Sequence, residues 1–354
     1  MSILFFQKRS IRAGAQTSLA RLVESSPLRP MNPVASLGGA GWLSEELQRQ
    51  GTPALITRFP SPRALMSRML GFGMFARRLI GMLHSRAVTP AAIIANDHQE
   101  CPLAFALAEK LGGIPVLGIL RTPGMSRADF DKYGCDRCNG LMGEGTELRE
   151  RVQAWTSKDV GLFEEGFAEA EFLPLKVWPA ACPKRVLVIG SEAPRKGFLD
   201  FIEAVRRLEA EVPAFPGFEC DFTGSRPADL PQGPTRSIFH FLGRVDDFPS
   251  LVRRFELAVH PSRAETFGMA PIEALIAGTP TLVSLTGEAR RLALPGDWTF
   301  PPGDVSALSD RLAGLWRRWP ALDLQALQAQ VRHGYHLDRT AGRVRHELLK
   351  LGLS

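Results

Sequence analysis

Short apolar runs alternate with amphipathic segments along almost the whole chain. In the first half, runs typical of buried strands lie at 2–6, 33–37, 91–95, 114–120, 141–144 and 161–163. In the second half they recur at 185–189, 219–223, 238–242, 257–259 and 281–283. Helical periodicity lies between the runs, and in one segment a single face carries Phe198, Phe201, Ile202, Val205 and Leu208. Because strands that alternate with helices are typical of parallel sheets, the pattern predicts an α/β fold.

A proline-rich stretch divides this pattern into two α/β series. The segment from Phe172 to Lys184 carries three prolines and reads as a linker. A chain of 354 residues is long enough for two domains with separate cores. We therefore predict domains at 1–178 and 179–335, followed by a terminal segment, 336–354, that contains a last helix.

Composition limits the class of protein. Hydrophobic residues make up 45% of the chain and charged residues 23%, as in globular proteins. No run of eighteen apolar residues predicts a membrane span, and the start, MSILFFQKRS, favours a first strand over a secretory signal. The five cysteines are scattered rather than spaced as a disulfide framework, so we expect a reducing cytoplasm.

The formal net charge of +6 is unevenly distributed. The stretch from Leu47 to Asn96 has no Asp or Glu, and its arginines are Arg49, Arg58, Arg63, Arg68, Arg77, Arg78 and Arg86. A basic, apolar helix here would suit an anionic membrane surface, and a core-facing helix with solvated arginines is the alternative. Gly71 and Gly73 weaken a single helix, so two short ones are also compatible. No nucleic-acid motif accompanies the charge, which disfavours nucleic acid as a partner.

The densest candidate chemistry lies in HPSRAETFGMAPIEALIAGTPTLVS, between two apolar runs. Glu265 and Glu273 are eight residues apart across a predicted loop-to-helix junction. The helix start leaves free amides near Phe267, Gly268 and Met269. These backbone amides could bind a phosphate, whereas the carboxylates on either side of them would repel it. A ligand that presents hydroxyls around a diphosphate, a nucleotide sugar, reconciles the two.

The same stretch resembles the E-x7-E region of retaining glycosyltransferases of family 4. Every fixed position of P-S-x-x-E-x-F-G-x-x-x-x-E-A-x-x-x-G-x-P is met from Pro261 to Pro280. The resemblance implies a GT-B fold, in which two Rossmann-like domains face each other across a cleft and the last helix crosses back to the first domain. It also implies that Glu273 binds the ribose and that Glu265 holds the sugar beside the three amides.

A second loop, Gly190 to Gly197, joins a strand end to a helix start and carries Arg195 and Lys196. Departure of a sugar builds negative charge on the diphosphate, and cations or helix dipoles must meet that charge where no metal motif exists. Lys196 matches the family's phosphate-binding lysine. Ser191 stands where the family often has an arginine, and Arg195 or Arg263 would replace it.

The first half departs further from the family. His98 ends a strand and resembles the family's strand-end histidine, which faces the donor sugar, although a structural histidine is the alternative. Arg121 ends the next strand and is an acceptor-side candidate. The family's glycine-rich loop is reduced here, with Gly14 as its candidate. In the second half, Arg244 and Val245 follow a strand and resemble the loop that contacts the base.

Two short motifs suggest metal binding. Cys135 and Cys138 form a C-x-x-C pair, but no second ligand pair follows at zinc spacing. Asp129 and Asp131 spell D-x-D away from any obvious strand end. We interpret both as incidental, and expect neither a metal nor a cofactor.

Together with these features, the resemblance to family 4 implies a metal-independent hexosyltransferase that retains configuration. The donor would be a UDP- or GDP-sugar, and the acceptor a lipid-linked glycan or a precursor of cell-surface polysaccharide or lipopolysaccharide. We expect it in the cytoplasm, at the inner face of the membrane if the basic region binds there. The alternatives are a nucleotide-sugar epimerase of the same fold and a binding module with reduced catalysis.

Overall fold

The computed structural model describes residues 2–60, 71–177 and 180–353. Contacts divide the chain into two compact units, Met1–Ala168 with Tyr335–Ser354, and Glu169–Gly334. The first unit therefore contains both ends of the chain. The predicted limits at 178/179 and 335/336 lie close to these divisions and stay predictions.

Seven parallel strands form the sheet of the first unit, in the order β3-β2-β1-β4-β5-β6-β7. The strands are β1 (Ser2–Gln7), β2 (Pro33–Leu37), β3 (Ala54–Ile56), β4 (Pro90–Ala95), β5 (Val116–Leu120), β6 (Gly140–Glu144) and β7 (Val160–Phe163). The helices are α1 (Gly14–Glu24), α2 (Trp42–Arg49), α3 (Phe72–Ser85), α4 (Cys101–Lys110), α5 (Arg127–Lys132) and α6 (Gly145–Gln153). The terminal helix α12 (Leu337–Lys350) also belongs to this unit.

The two faces of this sheet bury alternate residues of each strand. In β1, Ile3 and Phe5 join a core that includes residues of α1, α2 and α12. Leu4 and Phe6 join the opposite core, with residues of α3 and α4. Successive side chains of a strand point to opposite faces, so a strand covered on both sides must be apolar throughout. This explains why the run at 2–6 is uninterrupted.

Six parallel strands form the sheet of the second unit, in the order β10-β9-β8-β11-β12-β13. They are β8 (Arg185–Val188), β9 (Glu219–Phe222), β10 (Ile238–Phe241), β11 (Ala258–His260), β12 (Thr281–Ser284) and β13 (Thr299–Phe300). The helices are α7 (Phe198–Glu211), α8 (Phe248–Val252), α9 (Met269–Ile276), α10 (Val305–Arg317) and α11 (Leu324–Gly334). Both units thus have the predicted α/β organisation.

The sequence pattern missed β3 and β13, which are only three and two residues long. Such short runs carry too little alternation to identify a strand. The helix α1 begins at Gly14, so this glycine is the first helical residue rather than part of a loop.

The predicted basic helix is only partly described. Its C-terminal part is the continuous helix α3, whereas Arg63 and Arg68 lie outside the described residues. Within the described ranges, no helix is long and apolar enough to cross a membrane.

All strands of each sheet are parallel, so their carboxyl ends lie at one edge. In the second unit this edge carries the loops that follow β8, β9, β10, β11 and β12. In the first unit it carries Asn96, Arg121 and Glu144. Ligands of open α/β sheets bind at this edge, which makes it the place to examine.

Candidate functional site

The carboxylate of Glu265, in the loop after β11, is the centre of a charged cluster in the second unit. Its side chain is only 9% exposed, and its Oε1 lies 2.6 Å from Lys196 Nζ. Arg195 Nη1 is 3.6 Å from the other oxygen. Burial opposes ionisation, but the hydrogen bond with His260 and the charge of Lys196 outweigh it and hold the pKa of Glu265 well below its ordinary value.

His260 completes this cluster, although the sequence reading did not single it out. It is the last residue of β11 and 1% exposed, and its Nε2 lies 3.3 Å from Glu265 Oε1. Burial lowers the pKa of His260, and its hydrogen bond with Glu265 only partly opposes this. Nε2 is the ring nitrogen that faces the carboxylate. We call Arg195, Lys196, His260 and Glu265 the Glu265 cluster.

The two loops that carry the cluster are held together through their backbones. The Arg263 amide donates to the Arg195 carbonyl at 2.7 Å, and the Ser262 hydroxyl donates to the same carbonyl at 3.1 Å. Gly197 has φ +72°, and a Cβ there would lie 1.9 Å from the Pro261 carbonyl oxygen. Only glycine therefore fits at this crossing, which brings Lys196 to Glu265.

Arg263 has a different partner from Lys196. Its guanidinium makes two hydrogen bonds to the Asp200 carboxylate, at 2.7 and 2.5 Å. Arg195 is 47% exposed and donates to the Ala264 carbonyl at 3.3 Å. Of the two arginines named as replacements at Ser191, Arg195 is thus the one beside Glu265.

The start of α9 has the geometry of an anion site. Gly268 is its N-cap, with φ +85°, and within the described chain no side chain caps the first turn there. The carbonyl of Phe267 accepts from the Glu288 amide at 2.8 Å, which fixes the approach to the helix. Glu273 lies one turn beyond Met269 and is partly exposed. Glu265 and Glu273 therefore flank the amides at the helix start.

Four more predicted residues lie at the same edge. The Gly190 amide donates to Thr223 Oγ1 at 2.9 Å, so the chain leaving β8 turns beside the end of β9. Ser191 follows in that turn, and its Cα would be 2.8 Å from a Cβ at Gly224. After β10, Arg244 is half exposed and forms an ion pair with Asp246 at 3.3 Å, and Val245 lies between them.

In the first unit, His98 is buried at the end of β4 and bound to Asp97. Its Nδ1 lies 2.9 Å from Asp97 Oδ1, and its ring meets Tyr133 edge-on at 4.8 Å. Asp97 also accepts from the Thr122 hydroxyl at 2.6 Å and from the Arg121 amide at 3.1 Å. Sequence reasoning named His98 but missed Asp97, its immediate neighbour and its main polar contact.

Arg121, the acceptor-side candidate, has a side chain only 3% exposed. Its Nη1 lies 2.6 Å from Glu165 and 3.3 Å from Glu144, and its guanidinium covers the Phe163 ring at 4.1 Å. We call these four residues the Arg121 cluster. The contacts account for the arginine as a structural group, and its acceptor role stays a prediction.

Gly14 is exposed at the start of α1. The carbonyl of the next residue, Ala15, accepts from Asn96 Nδ2 at 3.1 Å. This contact links the start of α1 to the end of β4, two residues before His98. The predicted donor role of Gly14 stays a prediction.

The two motifs interpreted as incidental have structural contacts. Cys135 and Cys138 are buried, and Cys138 Sγ is 3.8 Å from Cys101 Sγ. Asp129 caps α5 with Ser126, and Asp131 pairs with an arginine one turn away. In the described part of the chain, no group of three or more His, Cys, Asp or Glu residues is arranged to hold a metal ion.

Part of the second unit matches the profile of a known family. Residues 183–318 match the family profile described as "Glycosyl transferases group 1". Among the described residues, the two parallel sheets of seven and six strands match solved glycosyltransferase structures over 99% of this chain. The fold is GT-B, and the group 1 glycosyltransferase profile matches residues within its second unit. The predicted fold class is thus confirmed.

Two curated relatives are glycosyltransferases. The D-inositol 3-phosphate glycosyltransferase of Salinispora arenicola is 25% identical over 286 residues, which are 78% of this chain and 54% of that protein. The lipopolysaccharide core biosynthesis mannosyltransferase LpcC of Rhizobium leguminosarum bv. viciae is 40% identical over 70 residues, which are 20% of this chain and 19% of that protein. The chain spans about half the length of the first relative and less of the second.

Two solved GT-B structures resemble the chain at low sequence identity. Anabaena Alr3699/HepE, in complex with UDP-glucose, has a TM-score of 0.76 at 16% identity, covering 99% of this chain and 100% of that one. The lipopolysaccharide outer core galactosyltransferase WaaB, in its apo form, has a TM-score of 0.69 at 15% identity, covering 99% of both chains. At these identities the likeness concerns the fold alone.

Proposed function

We propose that this chain is a glycosyltransferase that moves a sugar from a nucleoside diphosphate sugar to a hydroxyl acceptor. The observation that carries the proposal is the Glu265 cluster beside the start of α9. It places Lys196, Arg195 and helix amides within one group of loops, with Glu265 and Glu273 flanking the amides. Cations and amides suit a diphosphate, and carboxylates suit the hydroxyls of ribose and sugar.

In the proposed reaction, the bond between the anomeric carbon and the diphosphate oxygen breaks. Lys196, assisted by Arg195 and the amides of Gly268 and Met269, stabilises the charge that builds on the departing diphosphate. The acceptor oxygen bonds to the anomeric carbon, and its proton passes to the leaving phosphate. Glu265 holds the sugar. By resemblance to family 4, the reaction retains configuration and needs no metal.

Further donor contacts are proposed for the remaining predicted residues. Glu273 would bind the ribose hydroxyls, and Arg244 and Val245 would contact the base through backbone groups. In the first unit, His98 would orient the sugar from its Asp97 contact. UDP is the first nucleotide to test, because Anabaena Alr3699/HepE is described in complex with UDP and UDP-glucose.

For the acceptor we propose a lipid-linked glycan or a lipopolysaccharide precursor, at the cytoplasmic face of a membrane. The names of LpcC and WaaB concern lipopolysaccharide, which supports that class. The outer face of α3 supports membrane contact, since Met74 is 65% exposed and Arg77 and Arg78 are exposed beside it. Co-sedimentation with anionic liposomes at low salt tests this part, and an absence of binding would contradict it.

The decisive experiment is a thermal-shift screen with UDP, GDP, ADP and their sugars. A ligand at 100 times its Kd stabilises the folded state by about 2.7 kcal/mol, so one nucleotide should raise Tm clearly above the others. Product analysis then follows with the donor alone and with acceptor, in the presence and absence of EDTA. Conversion of the donor alone to an isomer would support the epimerase instead. No nucleotide binding would contradict the proposal.

The epimerase and the binding module are less well supported. Both curated relatives are named as glycosyltransferases, as is WaaB. Donor binding without transfer to any acceptor would be the result that favours the binding module.

A further inference from the structure

We propose that His260 is a positioning residue for Glu265, the partner that this carboxylate keeps when Lys196 turns to the donor diphosphate. The inference rests on the proposed function. It adds a residue that neither the E-x7-E spacing nor the phosphate-binding loop identifies.

One oxygen of the Glu265 carboxylate has two close partners. Glu265 Oε1 is 2.6 Å from Lys196 Nζ and 3.3 Å from His260 Nε2. A bound diphosphate would compete with this oxygen for the three N–H donors of Lys196. The diphosphate carries more charge, and a lysine head on a four-carbon stem reorients readily. Donor binding should therefore draw Lys196 away from Glu265.

Movement of Lys196 to the diphosphate would leave the Glu265 carboxylate without its nearest cation. Glu265 is 9% exposed, and a buried carboxylate that loses its nearest cation is costly unless other donors hold it. Arg195 reaches the other oxygen only at 3.6 Å and is half exposed. His260 contacts the oxygen that Lys196 vacates. It is the donor that can keep Glu265 in place through the reaction.

His260 is itself held firmly. It ends β11 and pairs in register with Val283 of β12. The next residue, Pro261, is packed against Gly197, whose missing Cβ allows that contact. Lys196 belongs instead to a short 3-10 turn and is 21% exposed. A fixed donor and a movable cation thus share one carboxylate oxygen.

The positioning role requires a neutral His260 ring. Glu265, Lys196 and Arg195 are the charged groups that act on the ring. Its Nδ1 is buried and has no hydrogen-bond partner among the described residues. An imidazolium would leave an Nδ1–H unsatisfied and would add a third cation beside two others. The neutral Nε2–H ring avoids both, and leaves the full negative charge on Glu265 for the sugar.

The first test uses the free protein and needs no donor. ¹⁵N chemical shifts of the histidine ring should report the neutral Nε2–H form of His260 at pH 7. Carboxyl ¹³C titration should give a higher pKa for Glu265 in His260→Phe than in wild type, with His260→Gln in between. A charged ring or the Nδ1–H form at pH 7 would overturn the inference whatever the enzyme does.

The second test uses UDP and the donor that wild type accepts. His260→Phe should lower kcat about 100-fold while the Kd for UDP changes less than about threefold, because the lost interaction concerns the sugar side. His260→Gln restores a donor near the Nε2 position and should recover kcat to within about tenfold of wild type. Equal losses in both variants, each folded by circular dichroism, would contradict the positioning role.

The two tests separate this inference from the proposed function. If wild type binds no nucleotide, the proposed function fails, and the ring and carboxyl titrations still decide whether His260 holds Glu265. If wild type transfers sugar and His260→Phe keeps full kcat, the inference fails alone.

Discussion

The Glu265 cluster and the Arg121 cluster are both ion pairs at the carboxyl ends of parallel strands, yet they differ in which partner is accessible. In the Glu265 cluster the carboxylate is buried and its cation, Lys196, is 21% exposed. In the Arg121 cluster the cation is 3% exposed, and its Nη1 lies beside the carboxylates of both Glu144 and Glu165. A ligand can compete for an accessible lysine, whereas the enclosed arginine is committed to its neighbours. Burial of the cation thus separates an exchangeable pair from a structural one.

The largest effect that would test this difference is on turnover. Lys196→Ala should lower kcat about 10²–10⁴-fold, since it removes ~3–5 kcal/mol of stabilisation of the departing diphosphate. Steady-state kinetics with the accepted donor measure this. Lys184→Ala, at an exposed lysine in the same unit, is the control. Unchanged turnover in Lys196→Ala would remove the lysine from the mechanism.

Arg121→Met should act on stability. Removing one partner of a buried ion pair takes the cation from its carboxylate, here Glu165 at 2.6 Å, and costs about 3–5 kcal/mol. Urea unfolding measures the loss. Arg127→Met, which removes an exposed pair with Asp131, should cost less than about 1 kcal/mol. Similar losses in the two variants would mean that the Arg121 cluster is not structural in this sense.

Glu100 is also a buried carboxyl group, but its pKa is shifted in the direction opposite to that of Glu265. Burial and the charge of Asp97 raise the pKa of Glu100 to about 8, whereas cationic and hydrogen-bonding neighbours lower that of Glu265. Between its ordinary value of 4.5 and about 8, the unfolded chain releases this proton and the folded chain keeps it. Stability from this group is therefore full below pH 4.5, falls as pH rises, and reaches its minimum above pH 8.

Glu100→Gln removes this pH dependence and keeps an oxygen for the Lys8 amide, which donates to Glu100 Oε1 at 3.0 Å. The variant should gain about 3–5 kcal/mol over wild type at pH 9 and little at pH 4. Urea unfolding across this range is the measurement, and Glu109→Gln, at an exposed position, is the control. A gain that is the same at both pH values would contradict the raised pKa.

The smallest effect concerns Glu273. Glu273→Gln keeps the shape of the side chain but weakens charge-assisted hydrogen bonds to ribose hydroxyls, so the Kd for UDP should rise about tenfold. Isothermal titration calorimetry provides the measurement. Equal affinity for UDP in variant and wild type would count against the ribose role and would leave the Glu265 cluster as the main support for a donor site.

The sequence predicted the positions of the longer strands well, because a buried strand is visible in the sequence as a run of apolar residues. The run at 33–37 coincides with β2, and the run at 281–283 lies within β12. The spacing from Glu265 to Glu273 is also local, since both residues belong to one loop and the helix after it. Two very short strands were missed because their runs are too short.

Contacts between residues that are far apart in the sequence could not be recognised from the local sequence pattern. Lys196 and Glu265 are 69 residues apart, and only the crossing at Gly197 brings them to 2.6 Å. Nothing around His260 marks it as a partner of Glu265, because a histidine at the end of a buried strand reads the same with or without a carboxylate beside it. Arg121 is a second example, since its two carboxylates come from the end of β6 and from the segment after β7.

The sequence by itself therefore determined the α/β class, the two series of strands and the residue types of the proposed diphosphate site, because periodicity and motif spacing are properties of neighbouring residues. The tertiary structure decided which charges are exchangeable and which are enclosed. That distinction depends on burial and on partners from other strands, and both arise only when the sheet assembles and excludes water.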